Sequence, residues 1–538
     1  MMKEKFARWH VLCLNYFKRD WKKILIWTLG LAAFSGGYIP PFVEISKGQG
    51  LIGLYETMRN PAMISMVGPT PITDPSNYTL GAMYSHMMLL FCGLFAMIIS
   101  ALHVTGHTRK EEELGLTEIV RSFQVGRQAN SLAVLIETLG INLILALVTT
   151  LIMTVLKVES ITVTGIVLFS LSLALAGMIG AVVALVMAQI MQTSTGATGS
   201  SMAIIGLLYI LRGATDVSNQ NLSMMNPMGW TYLTFPFTEN NSLPIFIGIV
   251  FCVVLAIVAF ALEGGRDMGA GYLPAIEGKA NAKKSLLSVP GLFFRLNRGL
   301  IISWLVAFVV LGAAYGSIYG DMQVFLESNE IIKQMFTMTG VTIEESFTSV
   351  IMMVMIGMVG ILPIAIVNKL YAEEERMHLS QLYATKITRS KLYWTTIVLS
   401  VISAIAGIVF AVIGLGGTAI VAMNGESTMT LATFMKAGFN YLPSTLFFVG
   451  LSAVVLGYVP KIGKAVYVYL GYSFALNYFG GMINLPEWFS KTAIQSWIPR
   501  MPASDFEVMP FVTITLISVA MILIGYTGYI RRDMQEGA

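Results

Sequence analysis

The sequence predicts an all-α integral membrane protein of about twelve transmembrane helices, arranged as two parallel six-helix repeats with both termini in the cytoplasm. Three observations carry this: the composition, the recurrence of span-length apolar runs, and the repetition of short strings between the two halves. Of 538 residues, 55% are hydrophobic and 12% charged, with mean hydropathy +0.72. A water-soluble domain carries about 25% charged residues, so much of this surface is expected to face lipid.

A helix needs about 20 apolar residues to cross the hydrocarbon layer. Such runs lie near 24–44, 81–106, 130–156, 161–191, 197–215 and 243–263 in the first half. In the second they lie near 299–319, 346–370, 392–423, 439–459, 464–483 and 510–530. Residues 1–23 precede the first run. They alternate Lys and Arg with Phe6, Trp9, Leu12, Tyr16 and Phe17 at three- and four-residue steps, the pattern of an amphipathic helix in the membrane interface. The first run has span length and no small-residue cleavage site, so it is read as a span rather than a cleaved signal.

Basic residues set the orientation. With the N-terminus inside, 26 of the 34 Lys and Arg fall in inner segments. Reversing the chain would put the positive face outside.

The halves can be laid over one another. Trp27 falls on Trp304, Glu111-Glu112-Glu113 on Glu373-Glu374-Glu375, and Val125 and Arg127 on Ile387 and Arg389. Gly206 and Arg212 fall on Gly471 and Asn477, and Arg266-Asp267-Met268 on Arg532-Asp533-Met534. An even number of spans per half makes the repeats parallel, and a pathway is expected where such repeats meet. The expected divisions are the interfacial helix 1–23, a six-span half 24–264, a cytoplasmic linker 265–298 and a second half 299–538.

The inner loop between spans two and three is the informative segment. Read as one helix over 109–119, it places Glu111, Gly115 and Glu118 on one side. Such a face can dock on a soluble partner, with the glycine allowing close approach. The alternative is a solvated loop that only caps helix ends, which leaves its repetition unexplained. In this loop the sequence resembles the permeases of the ABC-2 class of ATP-binding-cassette transporters, whose first inner loop reads roughly E-x-E-x-G-[TL]-x-E-x-L-x-x-x-P-[VL]-S-R. Glu111, Glu113, Gly115, Glu118, Val125 and Arg127 match in register, while Gln124 and Gly126 replace the proline and serine. The second loop matches at Glu373, Glu375, Ile387 and Arg389, with Met377 in place of the glycine and Ser380 in place of the third glutamate.

The resemblance implies a doubled permease like the antibiotic and polyketide exporters of Gram-positive bacteria, set in a prokaryotic cell membrane and moving a small amphipathic substrate. It implies that these ten residues couple to a separate ATPase subunit, expected in two copies, which would hold ATP and Mg. The chain itself has no G-x-x-x-x-G-K-[ST] string. The nearest, Gly457 to Gly463-Lys464, has the wrong spacing. No cofactor, metal or nucleic-acid partner is expected of this chain.

Within the membrane, Glu137 is read either as a polar contact in the pathway or lock between helices, or as an interface residue that snorkels. Arg212 and Asn477 share a repeat position near the outer ends of spans five and eleven, and Tyr472 sits in an aromatic-rich run beside Asn477. With Glu137 these form the candidate substrate pathway. The bland reading of the aromatics is an interfacial belt. Cys13, Cys92 and Cys252 have no metal or disulfide spacing and are read as small apolar residues. The five histidines show no metal cluster. The rival to an ATP-driven exporter is a twelve-span secondary transporter of the major-facilitator type, which predicts a G-x-x-x-D-R-x-G-R-R-like string where this loop carries a triple glutamate. A membrane-bound enzyme would want polar catalytic clusters near one face, and the sequence offers none.

Overall fold

The computed structural model describes residues 5–46, 50–59, 61–273, 281–321, 342–423, 429–479 and 487–534. The chain divides into two compact units, Met1–Gly278 and Lys279–Ala538. Part of the predicted linker, 274–280, lies outside the described residues.

In the first unit the long helices are α1 (Trp9–Gly36), α2 (Leu80–His107), α5 (Ala129–Val155), α6 (Val163–Ile190), α7 (Ser194–Ser218) and α8 (Leu243–Gly265). Two short helices, α3 (Arg109–Glu113) and α4 (Leu116–Arg121), stand between α2 and α5. The second unit repeats the order as α9 (Val289–Ser317), α10 with α11 (Ile343–Val359 and Ile361–Glu375), α12 (His378–Tyr383) and α13 (Arg389–Ala422). It ends with α14 and α15 (Leu431–Asn440 and Leu442–Tyr458), α16 (Ala465–Phe479) and α17 (Val508–Arg531).

Local sequence explains the boundaries. Thr79, Thr162, Thr193 and Thr388 accept hydrogen bonds from first-turn amides of α2, α6, α7 and α13. Pro363 and Pro443 cannot donate a backbone hydrogen bond, and the interruptions that separate α10 from α11 and α14 from α15 lie just ahead of them.

Ten helices among the described residues are long and apolar enough to cross a membrane, five in each half. The chain is an all-α, multi-pass membrane protein. Two of the expected spans differ. The eleventh is described only as Ala465–Phe479, since 480–486 lie outside the described residues.

The first span differs more instructively. An interfacial helix ending at residue 23, followed by a separate span over 24–44, is not what forms. Instead α1 runs unbroken from Trp9 to Gly36, with Cys13, Tyr16, Asp20, Ile24, Thr28, Leu31 and Ser35 buried along it. That stripe keeps helical spacing straight through residue 23, so nothing in the sequence stops the helix there.

The two units pair their helices alike. First-span helix packs on third-span helix (α1 on α5, α9 on α13), and fourth on sixth (α6 on α8, α15 on α17). The α9–α13 contact is a backbone approach, for a Cβ on Gly312 or Gly414 would stand 2.7 Å or less from atoms of the facing main chain. Small residues serve this purpose in lipid, where close packing replaces the hydrophobic drive between helices. In the first unit α6 is central, 83% buried along its apolar window, whereas α8 is 22% buried and turns apolar side chains such as Phe246, Val250 and Ile257 outward.

Candidate coupling site at the inner face

The loop between α2 and α5 lies on the face that the basic residues assign to the cytoplasm. It is two helices, not the single helix 109–119 that the spacing suggested. Gly115 breaks it with φ of +74°, so Glu111 and Glu118 do not share a helical face. Nothing lies within 4 Å of where a Cβ on Gly115 would stand, so the glycine is there for its left-handed backbone and not for a close approach. Met377, at the matching place in the second unit, adopts φ of +60° between α11 and α12. The same turn is therefore built twice, the second time by a side chain that disfavours it by about 1–2 kcal/mol.

The geometry centres on a residue the motif passes over, Glu112. Its carboxylate takes two hydrogen bonds of 2.7 Å from the Arg266 guanidinium just beyond α8 and one of 2.8 Å from the Gly269 amide. Arg266 Nε donates to Gln189 Oε1 of α6 at 2.8 Å. In the second unit Glu374 takes two hydrogen bonds of 2.6 Å from Arg532, whose Nε donates to the Leu456 carbonyl of α15 at 3.1 Å. Both pairs are nearly covered, with side-chain exposures of 8% and 9% in the first and 10% and 1% in the second. Bidentate, charge-assisted pairs of this kind fix geometry as well as adding energy.

Arg127 and Arg389 close each clasp from the other end of the loop. Arg127 donates to the carbonyls of Glu263 and Arg266, and Arg389 to those of Ile530 and Arg532, the last at 2.7 Å. Each loop thus grips the inner end of the sixth helix of its unit at two points. Arg121 of α4, held below the ordinary arginine range by burial, donates to the Arg127 carbonyl in the first clasp. Arg109, 1% exposed, ties in the turns beyond α6 and α8 through the carbonyls of Gln192, Gly269 and Ala270.

The other motif residues scatter in role. Glu111 is buried and accepts from Tyr16 at 3.0 Å and Arg19 at 2.8 Å, with His107 at 2.9 Å, so it anchors α1 rather than facing a partner. Glu373 likewise turns inward, to Lys369 at 3.0 Å and His378 at 2.6 Å. Glu113 is exposed and caps α7 through the Ser194 amide at 2.8 Å. Glu118 is exposed, and Val125 and Ile387 are half-buried. Glu375 borders a cavity of about 570 Å³ that Lys369, Tyr371, Lys461, Lys464 and Tyr467 also line.

What the first loop does present outward is apolar. Leu114, Leu116, Ile119 and Phe123 are 64%, 43%, 62% and 67% exposed. In the second unit the places of Leu116, Ile119 and Phe123 are held by His378, Gln381 and Thr385.

Each candidate pathway residue is held by contacts within its own unit. Arg212, fully buried, pairs with Asp216 at 2.9 Å and donates to the carbonyls of Ser65 and Met66, with Tyr209 and Tyr232 against its guanidinium. This is a knot tying α7 to the outer loop, and it leaves the cation no opening. Asn477 is buried and accepts from Arg500 at 3.1 Å. Tyr472, 38% exposed, bonds Thr492 at 2.6 Å. Glu137 does not snorkel: it is 0% exposed and meets His103 of α2 at 3.2 Å. Among the described residues no group of His, Cys, Asp and Glu is disposed to hold a metal.

Residues 286–530 match the family model described as the C-terminal domain of multidrug efflux system permease Rv1217c. Across 527 residues the chain is 26% identical to the multidrug efflux system permease protein Rv1217c of Mycobacterium tuberculosis, an alignment that covers 97% of this chain and 94% of that protein.

Proposed function

We propose that this chain is the permease of a drug efflux system in a prokaryotic plasma membrane, and that its inner loops dock a separate ATP-hydrolysing subunit. The similarity to a multidrug efflux permease supports the first part. The observation that carries the second is the exposed set Leu116, Ile119 and Phe123, with Glu118 beside it, on a loop clasped to the sixth helix. An apolar group in water marks a contact surface. Because both ends of the loop hold α8, a partner that moved α4 would carry α2, α5 and α8 with it. The substrate is an amphipathic small molecule, and export is its direction.

The test is purification of the chain from its native membrane, identification of any ATPase that accompanies it, and reconstitution of the two together and apart. ATP turnover should belong to the complex and be absent from the chain alone, and drug movement should require ATP. ATP-independent transport that collapses with the proton gradient would replace this reading with the secondary-transporter one.

A further inference from the structure

The two halves are built alike at the inner face and differently inside the membrane. Glu137 on α5 and His103 on α2 face each other with side-chain exposures of 0% and 3%, and Glu137 Oε1 has no hydrogen-bond partner. Trp27 of α1 packs edge-on against His103 at 5.9 Å, and the His107 ring lies 4.5 Å from that of His103. His107 in turn meets Asp20 at 3.3 Å and Glu111 at 2.9 Å, with Arg19 on the same cluster. Titratable groups therefore run from Arg19, whose side chain is 47% exposed, through the covered carboxylates of Asp20 and Glu111 to a sealed carboxylate.

The second half supplies the control. At the spacing that carries Glu112 to Glu374 and Arg127 to Arg389, Glu137 corresponds to Leu399 and His103 to Ala365. The outer link survives in altered form, for Lys369 and Glu373 pair at 3.0 Å where His107 and Glu111 pair in the first half. Asp20, by the spacing that carries Trp27 to Trp304, becomes Asn297. The second unit nevertheless packs its second-span helix against its third, α11 on α13. The fold thus stands without the buried pair, and a carboxylate inside a membrane is costly to keep.

We infer that Glu137 and His103 form an exchangeable proton site within the first half, loaded from the cytoplasmic face past His107. The step is a transfer of H⁺ alone: a proton leaves water beside Arg19, passes the covered Asp20–Glu111 cluster and His107, binds a nitrogen or oxygen of the pair, and returns by the same groups. The other titratable groups facing the pair are Cys13 and Tyr16 of α1. Helix α6 brings none, and Glu263 of α8 lies at the Ser131 end of α5. The inference rests on the transporter reading only for what the proton does during a cycle, so proton binding by the resting protein tests it separately.

The experiment compares three full-length proteins in liposomes: wild type, His103→Ala with Glu137→Leu, and His103→Gln with Glu137→Gln. The first variant copies the second half and is expected to fold. The second keeps an amide contact between α2 and α5 that takes no proton. Proton uptake read with a pH indicator, together with the infrared band of a protonated carboxyl, should be larger in wild type by up to about one proton per chain. Both variants should lack that increment, and transport in the glutamine variant should lose its pH dependence. Equal uptake in all three proteins, with no carboxyl band assigned to Glu137, would overturn the site. A glutamine variant with the wild-type pH profile would show a helix lock and nothing more.

Discussion

Breaking one clasp should separate ATP hydrolysis from transport, and the structure gives the size of the effect. The Glu112–Arg266 pair is bidentate at 2.7 Å and less than 10% exposed on either side chain. At an effective dielectric near 20 the attraction is about 4 kcal/mol at 4 Å. Covering both charges takes back part of that, so a coupling energy of about 2 kcal/mol is expected, inside the range measured for networked neighbours. Glu112→Gln alone should cost more than the pair contributes, because Arg266 and Arg109, which also meets Glu112 at 3.0 Å, would both remain covered without that countercharge. Glu112→Gln with Arg266→Gln should cost less than the sum of the single changes. Equilibrium unfolding in mixed micelles, run as a double-mutant cycle at Glu112–Arg266 and again at Glu374–Arg532, measures the term in each half. Transport per ATP hydrolysed measures the consequence. With the clasp open, the partner should still bind and turn over ATP while drug movement falls about tenfold or more, since a net loss of 1.4 kcal/mol or above would let the loop move without α8. Coupling energies under about 0.5 kcal/mol at both sites, or unchanged transport in the cycle mutants, would refute the mechanical role of the joint.

Gly115→Ala should destabilise the first loop by about 1–2 kcal/mol through its left-handed backbone, and Met377→Gly should stabilise the second by a similar amount; the unfolding assay reads both signs. Ile119→Lys and Phe123→Lys should abolish capture of the ATPase while leaving the membrane protein monodisperse, whereas charges placed at Gln381 and Thr385 should do little. Cysteine introduced at the exposed Ser285 should react with impermeant thiol reagents only after cells are opened, because the native cysteines are buried and the basic face is inside. Labelling of intact cells would reverse the orientation.

Much of the architecture was legible because it is written in long, redundant signals. Span-length apolar runs and the placement of Lys and Arg each involve many residues, so local exceptions do not disturb them. The site was harder to read. The resemblance pointed to Glu111 and Glu113, and the structure turns one of them inward and makes the other a helix cap. Glu112 sits between them, and nothing local marks it, because its partner Arg266 is 154 positions away. A nonlocal signal did exist. The triple glutamate and the Arg-Asp-Met string recur in both halves, and two strings that repeat together at nearly the same offset are candidates for contact. The exposed apolar residues of the first loop carry no local mark for a different reason. In a chain 55% hydrophobic, four more apolar residues mean nothing until the fold leaves them exposed on an inner loop rather than on a span.

The repeat also separates what the fold requires from what it tolerates. Both halves keep a left-handed turn at Gly115 and Met377, a bidentate pair at Glu112–Arg266 and Glu374–Arg532, and a terminal arginine at Arg127 and Arg389. Met377 is the telling case, for that half keeps the turn at an energetic disadvantage rather than relax it. A constraint that survives the loss of its preferred residue is mechanical: the loop must leave α11 at that angle for Glu374 to meet Arg532. The features found on one side only are of another kind. The exposed apolar set of the first loop and the Glu137–His103 pair have no counterpart in a unit that otherwise packs its helices alike, so the helix packing requires neither. Both lie in the first half, one at the surface where a partner would push and one inside the membrane between the helices that push would move. On this view the second half reproduces the joint, while the first carries the joint together with the parts that act through it.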